Sequence, residues 1–121
     1  MNNNKLSLYT LSTCKKCHSV KEALIHEGIY FDEVVCDEDR NGLKCDNLEI
    51  EIDCSFYPMA VITKKVERDR GGYFVYAEEK VIIHFCTKYD ELMIKRKINT
   101  DYFAICALNT SDMLQLIIKN K

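Results

Sequence analysis

Residues 6–24, which read LSLYTLSTCKKCHSVKEAL, contain the change of hydrophobic pattern that decides the fold. Apolar and polar side chains alternate at the beginning of this stretch, as in a strand with one buried face. After a short turn, Cys17, Val20 and Leu24 recur at spacings of three and four residues, which is typical of an amphipathic helix. The pattern therefore predicts a strand that leads directly into a helix beginning at Lys15.

The segment after this helix completes a strand–helix–strand unit. Gly28 is a helix stop signal, and residues 29–36 are rich in aromatic and β-branched side chains that favour a second strand. A strand joined through a helix to another strand of the same sheet runs parallel to it. We therefore expect a βαβ unit with Cys14 and Cys17 at its first strand-to-helix junction.

The remainder of the chain is assigned from the same kinds of signal. The only proline, Pro58, precedes a compact apolar run at residues 59–62, and proline is tolerated at the first residue of a strand. Residues 60–85 favour a β meander with a turn at residues 70–72. Three further helices are predicted, at residues 43–52, at residues 87–97, and from Thr110 or Ser111 onward.

Length and composition describe one globular domain. The 121 residues are 47% apolar and 30% charged, with a formal net charge of −2. The small acidic charge argues against a dedicated nucleic-acid binder, which usually carries a basic face. No apolar run approaches the roughly 20 residues that span a bilayer, and the first residues lack the apolar stretch of a secretory signal. We therefore expect a single domain over residues 1–121, in the cytoplasm, without nucleic-acid or membrane partners.

Cysteine is the most informative residue type in this chain. Seven cysteines are present, and only Cys14 and Cys17 are separated by as few as two residues. An odd number without a secretory signal is a poor match to an extracellular disulfide scaffold. In a reducing cytosol most of the others are expected to stay reduced and to behave as small apolar side chains. These others are Cys36, Cys45, Cys54, Cys86 and Cys106.

The spacing of Cys14 and Cys17 suits thiol–disulfide exchange. This reaction needs one thiolate that attacks a disulfide and a second thiol close enough to resolve the mixed disulfide. At the start of a helix Cys14 meets unpaired backbone N–H groups, and Lys15 and Lys16 add positive charge nearby. The pKa of Cys14 is therefore expected to fall below that of a free cysteine. Cys17 lies one turn inside, on the apolar face, which suits the resolving role.

Three other interpretations of the cysteine pair stay open. The two cysteines can be structural and chemically unrelated, or the domain can be a redox-sensing or interaction module without turnover. The pair can also bind zinc with further ligands drawn from His18, Cys36, Cys45 and Cys54. Because no second close Cys/His pair accompanies it, zinc is disfavoured and no metal is assigned.

Four short motifs together resemble the glutaredoxins over about residues 5–98. They are Leu8-Tyr9-Thr10, Cys14-Lys15-Lys16-Cys17, Pro58 before Met59-Ala60-Val61-Ile62, and Tyr89-Asp90-Glu91-Leu92. The resemblance implies an α/β thioredoxin fold, with a central mixed sheet flanked by helices on both faces. Here the fold would be enlarged by a β meander at residues 64–80 and a C-terminal extension at residues 99–121.

The resemblance also implies a set of substrate-binding residues. In glutaredoxins a cis-proline faces the cysteine pair, and the preceding residue pairs its backbone with the substrate; Pro58 and Tyr57 match these positions. Asp90 matches an acidic residue that helps to bind the free amino end of glutathione. Thr87 stands where many glutaredoxins have a Gly-Gly pair that borders the same site.

The implied function is reduction of protein or glutathione-mixed disulfides, with Cys14 attacking and Cys17 resolving. The resemblance extends to glutaredoxin-like electron donors of ribonucleotide reductase, so electrons would come from glutathione or from thioredoxin reductase. No tightly bound cofactor is implied, and glutathione is a candidate co-substrate. Leu11 and Ser12 nevertheless stand where many glutaredoxins carry a glutathione-binding lysine. The protein is expected to be a monomer.

Overall fold

The computed structural model describes residues 4–38, 57–69, 71–85 and 100–121, apart from two side chains in the strands. The helices predicted at residues 43–52 and 87–97 lie outside these described ranges. Within them the chain forms five strands and two helices. The elements are β1 (Lys5–Thr10), α1 (Lys15–His26), β2 (Asp32–Val35), β3 (Met59–Asp69), β4 (Phe74–Phe85), β5 (Thr100–Ala107) and α2 (Thr110–Asn120).

The five strands form one mixed sheet in the order β2-β1-β3-β4-β5. β1 and β2 pair in parallel, which confirms the predicted βαβ unit. β3 runs antiparallel to both β1 and β4, and β5 runs parallel to β4. Four strands therefore finish at the end of the sheet where β3 begins, and we refer to it as the carboxyl end. The predicted α/β class with a central mixed sheet is confirmed.

The first helix begins and ends where its sequence predicts. Cys14 is the N-cap residue, and Gly28 follows the helix with a φ of 69°, a conformation that glycine adopts without strain. Val20 and Leu24 are fully buried on the helix face that meets the sheet. The spacing of three and four residues thus orients α1 and fixes the direction in which Cys14 leaves β1.

Both described helices pack on the same face of the sheet. Asn109 caps α2 by accepting a hydrogen bond from the Asp112 N–H at 2.8 Å. The shared core contains Leu6, Leu8, Val20, Leu24, Ala60, Ile62, Val81, Ile83, Met113 and Ile117. Complete burial of a single Val, Leu or Ile side chain contributes about 1.5–3 kcal/mol. The opposite face carries a separate buried cluster of Met59, Val61 and Ile82, and the helix expected on a second face falls outside the described residues.

The predicted meander is one long hairpin. β3 and β4 pair continuously from Met59↔His84 to Asp69↔Phe74. The meander prediction is therefore wrong, although its turn at residues 70–72 lies between the two strands. Charged residues at 64–69 interrupt the apolar pattern of a strand with one buried face, so the sequence did not indicate that β3 continues through them. Residues 64–69 continue β3 past Thr63, the last residue that pairs with β1, and their described side chains are exposed or half-buried. A polar sequence is therefore compatible with strand structure there.

The C-terminal extension contains a strand that the sequence analysis missed. β5 pairs with β4 from Glu78↔Thr100 to Phe85↔Ala107 and enlarges the sheet at its edge. Its sequence, TDYFAICA, is rich in aromatic and branched residues but does not alternate strictly between apolar and polar side chains. The final helix, in contrast, begins at Thr110 as predicted.

Candidate active site

The turn between β1 and α1 places Cys14 at the carboxyl end of the sheet. The Cys14 N–H donates to the Leu11 carbonyl at 3.2 Å, and the His18 N–H donates to the Cys14 carbonyl at 3.2 Å. With a φ of −83° and a ψ of 112°, Cys14 has the extended conformation of an N-cap residue. Its side chain therefore lies beside the unpaired N–H groups of the first helical turn.

Cys14 and Cys17 are joined as a disulfide, with Cα atoms 5.2 Å apart. The Cys14 sulfur also accepts a hydrogen bond from the Cys17 backbone N–H at 3.1 Å. Cys14 is half-buried, whereas the Cys17 side chain is 2% exposed. This asymmetry agrees with the roles expected from the sequence, an accessible sulfur at the helix start and a shielded one a turn inside.

Tyr57 and Pro58 face this pair from the beginning of β3. The Tyr57–Pro58 peptide bond is cis, and Pro58 is buried. The Tyr57 carbonyl oxygen lies 3.9 Å from the Cys14 sulfur. The structure therefore brings Tyr57 and Cys14 together, as the glutaredoxin resemblance implies.

Lys15 and Lys16 are exposed at the start of α1, where the first turn contains no acidic residue. The Lys16 ammonium lies 5.3 Å from the centroid of the Phe85 ring, a cation–π distance. Phe85 ends β4, so this contact connects the start of α1 to an interior strand of the sheet. Both positive charges thus lie next to the cysteine pair, and their effect on the Cys14 thiolate stays a prediction.

A carboxylate that the sequence analysis did not identify holds the turn before Cys14. Asp37 accepts hydrogen bonds from the Ser12 backbone N–H at 3.1 and 3.3 Å, and its carboxylate also contacts the Ser12 hydroxyl. These bonds from Ser12 lower the pKa of Asp37 below its usual value of 3.8. The parallel pairing of β1 and β2 was the available signal, because it brings the segments after both strands side by side.

A cavity of about 200 Å³ opens beside Cys17 on the β2 side of the site. It is lined by charged side chains, among them Lys21 and Glu33, which form an ion pair at 2.8 Å. Glu33 also accepts a hydrogen bond from the Thr10 hydroxyl at 3.3 Å. A larger cavity of about 340 Å³ lies at the far end of the sheet, near Leu6, and none of the cysteines that the structure describes lines it.

The remaining cysteines differ from the sequence-based expectation where the structure describes them. Cys36 is half-buried and Cys106 is exposed. The interpretation of these two as side chains of an apolar core is therefore wrong. The other three cysteines lie outside the described ranges.

The predicted glutathione-binding residues Thr87 and Asp90 also lie outside the described ranges. Among the residues that the structure does describe, no group of three or more His, Cys, Asp and Glu side chains could hold a metal ion. Within the same ranges, no helix is long and apolar enough to span a bilayer.

The chain matches the Glutaredoxin family model over residues 6–51. None of the curated proteins and none of the solved structures matches the chain. The matched segment contains nearly all of β1, the cysteine pair, α1 and β2, whereas Tyr57 and Pro58 of the site lie outside it. Such a close pair of cysteines suits thiol–disulfide exchange. The resemblance is therefore confirmed for residues 6–51, and the mixed sheet with its helices agrees with the thioredoxin fold that this family implies.

Proposed function

We propose that this protein reduces protein or glutathione-mixed disulfides through Cys14 and Cys17. The observation that carries the proposal is the environment of the Cys14 sulfur. It is partly accessible, it accepts the Cys17 backbone N–H at 3.1 Å, and it lies 3.9 Å from the Tyr57 carbonyl oxygen. A donor aimed at the sulfur favours the thiolate, which is the nucleophile in disulfide exchange.

The reaction begins with both cysteines reduced. The Cys14 thiolate attacks one sulfur of the substrate disulfide, forms a mixed disulfide with it, and displaces the other sulfur as a thiolate that takes up a proton. Cys17 then loses its proton and attacks the Cys14 sulfur. This second attack releases the remaining substrate thiol and forms the Cys14–Cys17 disulfide. Two electrons pass to the substrate, and the protein is left oxidised.

Return to the reduced state needs an external donor of two electrons. Two glutathione molecules can supply them and leave as glutathione disulfide, or thioredoxin reductase can supply them directly. Thr87 and Asp90 belong to the glutathione alternative on the basis of the family resemblance. The reductase alternative would suit an electron donor to ribonucleotide reductase, and both alternatives suit a cytoplasmic protein.

Substrate binding in this proposal uses the gap between α1 and the beginning of β3. The Tyr57 backbone beside the Cys14 sulfur offers hydrogen-bonding groups to an extended peptide that carries a disulfide. Lys15 and Lys16 add positive charge at the same opening, which favours substrates with acidic residues near the disulfide.

A coupled assay tests the proposal. The protein is incubated with insulin or with a glutathione-mixed disulfide, and NADPH consumption is followed with either glutathione reductase and glutathione or thioredoxin reductase. We expect turnover with at least one donor, and loss of that turnover in Cys14→Ser. Ile25→Ser, at an exposed position near the far end of α1, is the control and is expected to retain activity. An intact, reduced pair that gives no turnover with either donor would contradict the proposal.

A further inference from the structure

The connection between β1 and α1 is held by the two residues that follow β2. The Cys36 backbone N–H donates to the Thr10 carbonyl at 2.8 Å, which extends the parallel pairing of the two strands. The next residue, Asp37, binds both the backbone N–H and the hydroxyl of Ser12. Consecutive residues on one side of the site therefore fix two points of the turn that leads to Cys14.

We propose that Asp37 is a positioning residue, which holds Ser12 and so fixes the turn that presents the Cys14 sulfur to the Cys17 N–H. This inference rests on the proposed function. Ser12 lies two positions before Cys14, and the same turn is closed by the hydrogen bond from the Cys14 N–H to the Leu11 carbonyl at 3.2 Å. A rigid turn is what keeps the sulfur within 3.1 Å of its donor.

The turn is also held from the side of the helix. The His18 ring nitrogen Nε2 lies 3.2 Å from the Ser12 carbonyl oxygen. Ser12 is thus contacted by Asp37 through its N–H and hydroxyl and by His18 through its carbonyl. Because His18 belongs to the first turn of α1, Ser12 joins the end of β2 to the start of the helix.

Positioning and charge predict opposite effects for Asp37. Its negative charge lies beside Ser12, two positions before Cys14, and by itself disfavours a second negative charge on the sulfur. Its hydrogen bonds to Ser12 keep the sulfur beside a donor, which favours the thiolate. Removal of charge alone should therefore raise the reactivity of Cys14 or leave it unchanged, whereas removal of the hydrogen bonds should lower it.

Alkylation kinetics separate these two effects. The fully reduced protein is treated with iodoacetamide between pH 5 and pH 10, and modification of the Cys14 peptide is followed by mass spectrometry. For Asp37→Ala we expect alkylation near pH 6 to be about three- to tenfold slower, since a pKa shift of one unit changes the thiolate fraction about tenfold below the pKa. Rates above pH 9 should be unchanged. Asp37→Asn, which keeps an acceptor oxygen for Ser12, should retain most of the wild-type profile.

Asp32→Ala is the matched control. Asp32 is the first residue of β2, the strand that Asp37 follows, and it lies away from the cysteine pair, where it forms an exposed ion pair with Lys5 at 3.5 Å. This variant should give the wild-type profile. Ser12→Ala removes only the hydroxyl contact and should shift the pH profile in the same direction as Asp37→Ala, but by less. If thermal denaturation shows that Asp37→Ala is unfolded, Ser12→Ala takes its place in the test. A wild-type profile for Asp37→Ala, or equal acceleration in Asp37→Ala and Asp37→Asn, would overturn the inference. A wild-type Cys14 that is no more reactive than a free cysteine would instead overturn the proposed function.

Discussion

The sulfur of Cys14 lies 3.9 Å from the carbonyl oxygen of Tyr57, although 43 positions separate the two residues in the chain. Cys14 comes from the start of α1 and Tyr57 from the segment before β3, so the contact forms only when the sheet has assembled. Their approach creates an opening with a sulfur on one wall and backbone hydrogen-bonding groups on the other. Such an opening suits an extended peptide with a disulfide.

The two cysteines should respond differently to substitution. Cys14→Ser should abolish disulfide reduction, because the attacking thiolate is lost. Cys17→Ser should still attack but should stop at the mixed disulfide, since the buried resolving thiol is missing. Intact-mass measurement after exposure to glutathione disulfide should show a stable adduct in Cys17→Ser only. An adduct that forms on Cys14→Ser and not on Cys17→Ser would reverse the two roles.

The reduced Cys14 should form a thiolate at lower pH than a free cysteine, whose pKa is about 8.5. The physical reasons are the Cys17 N–H at 3.1 Å and the two lysines at the helix start. Thiolate absorbance at about 240 nm measures the titration. Replacement of Lys15 and Lys16 by Gln should raise the midpoint modestly, because solvent and salt screen exposed charges. The control Lys119→Gln, in the last turn of α2, should leave it unchanged; an unshifted wild-type midpoint would contradict the helix-start argument.

The hydrogen bonds between Asp37 and Ser12 should make part of the protein's thermal stability depend on pH. Because folding lowers the pKa of Asp37 below 3.8, its contribution is fully present above that pH and is lost as the pH falls through the lower, folded value. Asp37→Asn should therefore lower Tm at pH 7, and the difference from wild type should shrink as the pH is lowered below about 3.8. Thermal denaturation between pH 2 and pH 7 measures this. A difference in Tm that stays constant over the whole range would contradict a role for the ionised carboxylate.

Leu24 tests the packing of α1 that orients the site. It is fully buried, with 0% exposure, whereas its neighbour Ile25 is 60% exposed. Leu24→Ala should lower the free energy of unfolding by about 2–5 kcal/mol, because it leaves a cavity between the helix and the sheet. Urea denaturation measures the change, with Ile25→Ala as the matched control at a much smaller cost. Equal losses in both variants would mean that α1 does not pack as described.

The parts of the fold that could be predicted are those with a continuous local signal. The change of pattern between Leu8 and Val20 predicted both β1 and α1, and Pro58 marked the beginning of β3. β5 was missed because an edge strand can be exposed on both faces, as Phe103 and Ala104 are, and so need not alternate. A local pattern also has no information about pairs such as Ser12 and Asp37, which are separated by 25 positions and joined by exposed side chains.

Part of the site was predicted by spacing and part by resemblance. The different exposure of Cys14 and Cys17 follows from helical periodicity, which puts Cys17 on the same face as Val20. The placement of Tyr57 against Cys14 could not be obtained from periodicity, since it depends on how β3 pairs with β1. Only the glutaredoxin pattern predicted it.

A single-turnover experiment tests the central claim most directly, because it follows the electrons from the cysteine pair to the substrate. The fully reduced protein is mixed with one equivalent of a peptide disulfide, quenched with acid at intervals, and mapped by mass spectrometry without reduction. The account predicts that the peptide disulfide disappears at the rate at which the Cys14–Cys17 disulfide forms, after a transient adduct on Cys14. A peptide disulfide that is not reduced, or that is reduced while the new disulfide joins other cysteines, would contradict the account.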